Sequence, residues 1–194
     1  MKKTYVLDTN VLIQAPYAVE CFEENTVVLP MTVLEELDNM KKEEGEKGAN
    51  VRKVIRILDA HREKGNLLEG VRMEWGGILR VEKNYRNVEL PPDLPEHKSD
   101  NRILKVCVGL SNDLKEQVIL VTKDILLRIK AQLLGIQAED FGTEQVAVHE
   151  EQYLGRREVF VPEELFKDFK KKGVPVECVY CCEYERESHL PGIV

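Results

Sequence analysis

The feature that most constrains the fold is an alternation of short apolar runs with amphipathic segments. Short, mostly apolar runs at 4–7, 26–29 and 118–121 are each followed by polar residues and then by apolar residues at helical spacing. Strands this short and this uniformly apolar are typical of a parallel sheet covered by helices on both faces. The pattern therefore predicts a three-layer αβα fold with a central parallel sheet, interrupted by an inserted glycine-turn hairpin at about 66–90.

The regular alternation of predicted strands and helices ends near residue 150. Residues 1–150 are therefore predicted to form the main domain, and 151–194 a small C-terminal extension or linker with short strands. A chain of 194 residues is long enough for one substantial hydrophobic core and a small appendage.

The cysteines do not predict a disulfide framework, because their number is odd and no secretory signal precedes them. Cys178 and Cys181 form a Cys-x-x-Cys pair that Cys182 follows directly. A zinc site would need further ligands, and His189 is the only nearby candidate. The pattern favours free thiols over a metal site in this part of the chain.

The net charge of −7 argues against a general nucleic-acid binder, although a local basic patch is compatible with it. It also suits a protein that gathers carboxylates around divalent cations. No apolar run approaches the length that crosses a bilayer, and the apolar run after Met1 is too short for a signal peptide. We therefore expect a cytoplasmic protein without a membrane partner.

Four acidic side chains are predicted to meet at the carboxyl edge of the sheet. Asp8 follows the first strand, and Asp124 follows the strand that ends at Val121. Glu36 lies in the first turns of the helix after the second strand, and Asp100 in the first turn of the helix after the proline-rich loop. Any one of these acids could simply complement a helix dipole. Four together would repel each other, and a divalent cation such as Mg²⁺ would relieve that repulsion.

Asp8, Glu36, Asp100 and Asp124 are therefore the predicted metal ligands and catalytic residues of a phosphodiester-cleaving site. Metal ions held there could activate water and stabilise the leaving oxygen. The histidine positions do not suggest a Ser-His-Asp set, and no glycine-rich phosphate loop is present. The chemistry predicted for this chain consequently belongs to the carboxylates.

Two questions remain about the residues next to these acids: whether Glu35 or Glu36 is the ligand, and what role the neighbouring threonines and asparagine have. Thr32 and Glu35 match a capping box at a helix start, which gives Glu35 a structural task and favours Glu36 as the ligand. Thr9, Asn10 and Thr122 either orient carboxylates and water by hydrogen bonds or act only as caps and turn residues.

The same stretches resemble the four acidic motifs of the PIN domain, a metal-dependent nuclease fold. They are LDTNVL at 7–12, VLEELD at 33–38, SDNRIL at 99–104 and VTKDILLRIKA at 121–131. The resemblance covers about residues 4–145. It implies a five-stranded parallel sheet of order 3-2-1-4-5 and Mg²⁺- or Mn²⁺-dependent cleavage of single-stranded RNA. In this family the acid directly before the leucine of the second motif belongs to the metal site, which implies Glu36.

The chain also resembles one subgroup, the PIN domain at the N-terminus of PhoH-like ATPases. The resemblance is carried by the EELD run at 35–38, by AEDF at 138–141 and by YLG at 153–155. In that subgroup a P-loop ATPase domain follows, which implies such a fused domain in the full-length protein. These 194 residues contain no Walker motif, so ATP-driven unwinding is not assigned to them.

RNA contacts need positive charge beside the acids. Lysines and arginines in or near the acidic motifs are the predicted contacts, with solvated helix faces as the alternative; they are Lys98, Arg102, Lys123, Arg128 and Lys130.

Two other functions compete with an endoribonuclease: a non-catalytic RNA-binding or protein-interaction module, and a nuclease that acts on DNA. Oligomerisation is also open, since the hairpin or the tail after Glu150 could supply a surface for a homo-oligomer.

Overall fold

The computed structural model describes residues 2–85, 87–142, 159–160 and 180–181. The chain divides into two compact units, Met1–Ala147 and Val148–Val194. The strands of the first unit are β1 (Lys3–Leu7), β2 (Thr26–Pro30), β3 (Val71–Arg72), β4 (Ile78–Glu82), β5 (Gln117–Val121) and β6 (Gln137–Glu139). Its helices are α1 (Thr9–Gln14), a 3₁₀ helix (Pro16–Glu20), α2 (Met31–Met40), α3 (Gly45–Lys64), α4 (Ser99–Asp113) and α5 (Ile125–Leu133).

The second unit is described through one antiparallel strand pair, β7 (Val159–Phe160) with β8 (Tyr180–Cys181). The predicted domain boundary at residue 150 and the side chains of the cysteine cluster at 178–182 lie outside the described residues. Both remain predictions.

The first unit is built on a six-stranded sheet of order β3-β4-β2-β1-β5-β6. All neighbouring strands pair in parallel except β3, which pairs antiparallel with β4 at the edge. Numbered in chain order, the five parallel strands have the order 3-2-1-4-5 that the resemblance implied. The predicted α/β class is therefore confirmed, and the sheet differs from the implied five-stranded one by the antiparallel edge strand β3. Consecutive residues of β1, β2 and β5 are buried, which requires that both faces of the sheet are covered.

The predicted hairpin forms, but it is an integral part of the sheet. Its second strand is β4, the third parallel strand, and only its first strand, β3, is an addition at the edge. Gly76 turns the hairpin at a φ of +89°, which favours glycine. At Gly77 a Cβ would come within 2.4 Å of the Glu23 carbonyl oxygen, so this close backbone approach also requires glycine.

Two prolines set the helices beside β1 and β2. Pro16 follows α1 and opens the short 3₁₀ helix, as its missing N–H and fixed φ allow. Pro30 ends β2 and is the N-cap residue of α2. The third helix, α3, begins at Gly45 and ends at Lys64.

The core lies between the sheet and its helices, and Cys107 on α4 is fully buried in it as a free thiol. The largest exposed apolar side chains of the described residues are concentrated on α5, namely Ile125, Leu126, Ile129 and Leu133. Among the described helices, none combines the length and hydrophobicity needed to cross a bilayer.

Candidate active site

A cavity of about 330 Å³ lies beyond the end of β1 and is lined by α1, by the second half of α2 and by the first turns of α3 and α4. In parallel sheets the carboxyl ends of the strands share one edge, where helix starts also gather. Three of the four predicted acids line this cavity. Its full lining is Asp8, Thr9, Asn10, Ile13, Glu36, Asn39, Met40, Lys47 and Asp100.

Asp8 is held at the end of the central strand and is almost completely buried. Its backbone N–H donates to the Val121 carbonyl oxygen at 3.0 Å, which extends the pairing of β1 with β5 by one residue. Its Oδ2 accepts a hydrogen bond from Thr122 Oγ1 at 2.7 Å and a longer one from Asn10 Nδ2 at 3.5 Å. These hydrogen bonds fix the orientation of the carboxylate at the carboxyl edge of the sheet.

Burial and like charge both act on the Asp8 carboxyl. Desolvation raises its pKa above the usual 3.8, and the nearby charges of Glu36 and Asp100 raise it further. Hydrogen bonds from the Thr122 hydroxyl and the Thr9 backbone oppose this rise without cancelling it. A carboxylate in this position would be stabilised by a bound cation.

Glu36 lies near the middle of α2 and lines the cavity, and Thr9 Oγ1 donates a short hydrogen bond to its Oε2. Glu35 lies outside the cavity, where its Oε2 accepts from Arg102 Nη1 at 3.1 Å. The prediction of Glu36 rather than Glu35 at this site therefore agrees with the geometry, although the capping-box argument for it is wrong.

The capping box does not form because α2 begins two residues earlier than the box requires. Pro30 is the N-cap residue and makes no side-chain cap. Thr32 lies inside the helix and is fully buried, and its hydroxyl donates to Asn84 Oδ1 at 3.2 Å instead. Glu35 is consequently free of the capping task and forms an ion pair on the surface.

Asp100 reaches the cavity from the first turn of α4. Its Oδ2 accepts from Lys130 Nζ of α5 at 3.1 Å. The ammonium compensates part of the negative charge that three acids bring to the cavity. Lys130, a predicted RNA contact, is therefore an ion-pair partner of a predicted metal ligand.

Asp124 is not part of the cavity lining. It is the N-cap residue of α5, and its Oδ1 accepts from the backbone N–H groups of Leu126 at 2.7 Å and Leu127 at 3.3 Å. The Thr122 hydroxyl connects it to the site, because Oγ1 accepts from the Asp124 N–H at 3.0 Å while donating to Asp8. The observed contact of Asp124 is thus the capping role that was the alternative to metal binding.

Replacement of Asp124 separates these two roles. Asp124→Ala should lower the free energy of unfolding by about 1 kcal/mol, since an N-cap oxygen is lost. Asp124→Ser should stay closer to the unmodified protein, because its hydroxyl can accept the same N–H bond. Urea denaturation of both variants measures the difference, and equal stabilities for alanine and serine would contradict the capping role. Loss of RNA cleavage in the serine variant would point to a second role as ligand.

Four of the five predicted RNA contacts, all except Lys98, pair with acids in the described part of the chain. Arg102 pairs with Glu35 at 3.1 Å, and Lys123 and Arg128 approach Asp140 at 3.7 Å and 4.0 Å. These pairs are partly exposed and two are long, so they are weak. A polyanion could compete for the cations, but they do not form an unpaired basic patch.

The sequence reasoning missed four cavity residues: Ile13, Asn39, Met40 and Lys47. Asn39 and Met40 follow Glu36 by three and four positions on α2, so helical spacing could have found them. Lys47 lies in a run of charged residues that is typical of a solvated loop. Its position depends on the turn between α2 and α3, which carries no local signal.

The donor set suits a hard divalent cation, since it consists of carboxylates with hydroxyl support. Among the residues that the structure describes, no three acidic, histidine or cysteine side chains come close enough to enclose a metal ion. Mg²⁺ usually relies on one or two carboxylates, several waters and substrate phosphate oxygens. The residues therefore fit an ion held at an open site and do not fit a closed protein cage.

Comparison with known proteins gives consistent matches. The family model described as PIN domain matches residues 5–142. Protein PhoH2 of Bacillus subtilis (strain 168) is 46% identical over 179 residues, which cover 89% of this chain and 40% of that protein. Protein PhoH2 of Mycolicibacterium smegmatis is 39% identical over 149 residues, or 75% of this chain and 34% of that protein. The chain thus spans less than half the length of these relatives.

Proposed function

The chain belongs to the PIN domain family, and on that premise we propose that it is a metal-dependent endoribonuclease that hydrolyses phosphodiester bonds of single-stranded RNA. PIN domains are generally nucleases. The observation that carries the proposal is the convergence of Asp8, Glu36 and Asp100 on one cavity at the carboxyl edge of the sheet. Such a cluster is unfavourable unless a cation compensates its charge.

We propose that Asp8, Glu36 and Asp100 hold Mg²⁺ or Mn²⁺, with Asp124 as a further ligand from the neighbouring turn. When bound, such an ion polarises a phosphoryl oxygen and lowers the pKa of its water. The hydroxyl groups of Thr9 and Thr122 fix the carboxylates of Glu36 and Asp8. The acids consequently need little rearrangement when the substrate arrives, which is how preorganised sites lower a barrier.

The charge distribution supports a single strand as substrate. A duplex is held mainly by many phosphate contacts, but the lysines and arginines of the acidic motifs are paired with acids, namely Arg102, Lys123, Arg128 and Lys130. We propose Arg102, Lys123, Arg128 and Lys130 as RNA contacts that exchange their carboxylate partners for phosphates. A strand that enters the cavity could reach the acids with only a few such contacts.

The similarity to PhoH2 proteins supports a second domain in the full-length protein. Because the chain corresponds to 40% of the Bacillus subtilis relative, we propose that in the full-length protein a PhoH-like ATPase domain is fused to this nuclease domain.

One observation favours a second candidate, a non-catalytic RNA-binding module. Asp124 caps α5, and no three potential ligands of the described residues come together around one point. Such a module would bind RNA without cleaving it at any metal concentration.

A cleavage panel distinguishes these functions. The purified chain is incubated with single-stranded RNA, single-stranded DNA and duplexes, with Mg²⁺, with Mn²⁺ or with EDTA. We expect cleavage of single-stranded RNA in either metal and none in EDTA, with internal cuts that show endonuclease action. Cleavage of DNA alone would change the substrate, and RNA binding without cleavage in any metal would establish the non-catalytic module.

A further inference from the structure

The cavity that three acids line also carries one cation, from the start of α3. Lys47, in the first turn of α3, lines the same cavity as Asp8, Glu36 and Asp100. Met40, which lies four positions beyond Glu36 and about 6 Å further along α2, lines it as well. The cavity therefore combines three acids with one lysine.

The backbone of this turn is held in place by contacts that do not involve the acids. Arg52 Nη1 of α3 donates to the carbonyl oxygens of Lys41 and Glu43, both at 3.1 Å. Gly48 packs so closely on the turn that a Cβ would lie 1.8 Å from the Glu43 carbonyl oxygen. These contacts fix the start of α3, and with it the backbone of Lys47, at the mouth of the cavity.

The Lys47 ammonium can exchange its partner. Its Nζ lies 3.1 Å from Glu43 Oε2, and both side chains remain about half exposed, at 49% and 43%. An exposed pair of this kind contributes little free energy, so a phosphate that enters the cavity can compete with the Glu43 carboxylate. Phosphate binding also places an anion near the N-terminus of a 20-residue helix, where the helix dipole favours it.

We propose that Lys47 and the turn between α2 and α3 form a phosphate-binding subsite that holds the substrate strand beside the scissile bond. The subsite rests on the proposed function, in that its ligand is the backbone of an RNA strand whose reacting phosphate lies at the acids. The lysine contacts a neighbouring phosphate of the same strand. It contributes binding and register, and it takes no part in bond cleavage.

The test uses binding as well as cleavage, because a binding readout survives if the nuclease proposal fails. A fluorescent single-stranded RNA is titrated with the full chain, without metal, over a series of salt concentrations. We expect Lys47→Ala to raise the dissociation constant about 3- to 10-fold at low salt. The slope of log Kd against log salt should become shallower by about 0.7, the value for one phosphate contact on a single strand. Lys47→Arg should restore both.

Lys53→Ala is the matched control, because Lys53 is exposed on the same helix and does not line the cavity. It should change neither the affinity nor the salt slope beyond a general charge effect. In cleavage assays with metal, Lys47→Ala should raise KM and leave kcat nearly unchanged.

Each outcome either supports or overturns the proposed phosphate-binding subsite. Equal affinities and equal salt slopes for the alanine variants of Lys47 and Lys53 would overturn it, even if the chain cleaves RNA. A loss specific to Lys47→Ala in a chain that never cleaves would support the subsite and reject the nuclease. Absence of RNA binding by the unmodified chain would overturn both.

Discussion

Asp8→Asn is expected to reduce metal-dependent RNA cleavage by at least about 10²-fold while the chain stays folded. Asp8 is the central acid, at the end of β1. The negative charges of Glu36 and Asp100 both raise the pKa of its carboxyl group. Asparagine keeps an oxygen that can accept the Thr122 hydroxyl bond, but it removes the charge that would hold a cation. The measurement is the single-turnover rate on single-stranded RNA at saturating Mn²⁺.

Asp59→Asn is the matched control, since Asp59 is exposed on α3 and pairs only locally with Arg62 at 2.8 Å. It should cleave RNA at the unmodified rate. Full activity of the Asp8 variant would remove Asp8 from the catalytic set and with it the central reason for assigning a metal site.

The same substitution should stabilise the metal-free chain at neutral pH. The folded-state pKa of Asp8 is raised, chiefly by desolvation. Between 3.8 and that raised value the folded protein keeps a proton that the unfolded chain has lost, so the contribution of this group to stability falls as the pH rises. Above the folded-state pKa the carboxylate is charged in the folded protein, and the full free-energy cost of burying that charge is present. Asparagine does not ionise, so the variant does not have this cost.

The expected result is a difference in unfolding free energy between Asp8→Asn and the unmodified chain that is small below pH 3.8, grows as the pH rises and then levels off. Urea denaturation in EDTA across the pH range measures it. Mn²⁺ should stabilise the unmodified chain more than the variant, because ligand binding to the folded state adds to stability. A variant that is less stable than the unmodified chain at neutral pH would contradict this account of the site.

Glu36→Gln and Glu35→Gln are expected to differ strongly although the two residues are adjacent. Glu36 lines the cavity and accepts from Thr9, so loss of its charge should lower the cleavage rate by about 10²-fold. Glu35 pairs with Arg102 on the surface at 3.1 Å. Its replacement should leave the rate within about threefold, since an exposed ion pair contributes little.

The pair is its own control, because each variant removes one negative charge from the same turn of α2. Rates are compared at several Mn²⁺ concentrations, and a ligand role predicts that the Glu36 variant needs more metal for its remaining activity. Equal losses in the two variants would mean that net charge, and not the position of Glu36, controls the reaction.

The α/β class could be predicted from the sequence because its signals are local, whereas the strand order came only with the family resemblance. Short runs such as Val118–Val121 are apolar on both faces, which only a covered parallel sheet satisfies. The glycine pair at 76–77 marks the hairpin turn. The status of the hairpin could not be predicted, because whether β4 extends the sheet depends on its pairing with β2, far away in the chain.

The roles of the polar residues were less predictable. A carboxylate can accept hydrogen bonds from the N–H groups at a helix start, and it can equally pair with a cation or a donor that lies far away in the sequence. Thr32 and Glu35 had the spacing of a capping box, yet Pro30 begins the helix and other elements provide their partners. Asp124 had the position of a ligand, and its observed contacts are those of a cap.

The sequence by itself determined the α/β class, which follows from apolar periodicity, and it predicted that acids meet at one edge of the sheet, because parallel strands end at a common edge. The strand order came only with the family resemblance. Only the tertiary structure decided that Asp8, Glu36 and Asp100 line one cavity, that Lys47 lines the same cavity and that Asp124 caps its own helix. The physical reason is that hydrogen bonds and ion pairs act over a few ångströms, so their partners are chosen by packing between elements that the linear sequence keeps apart.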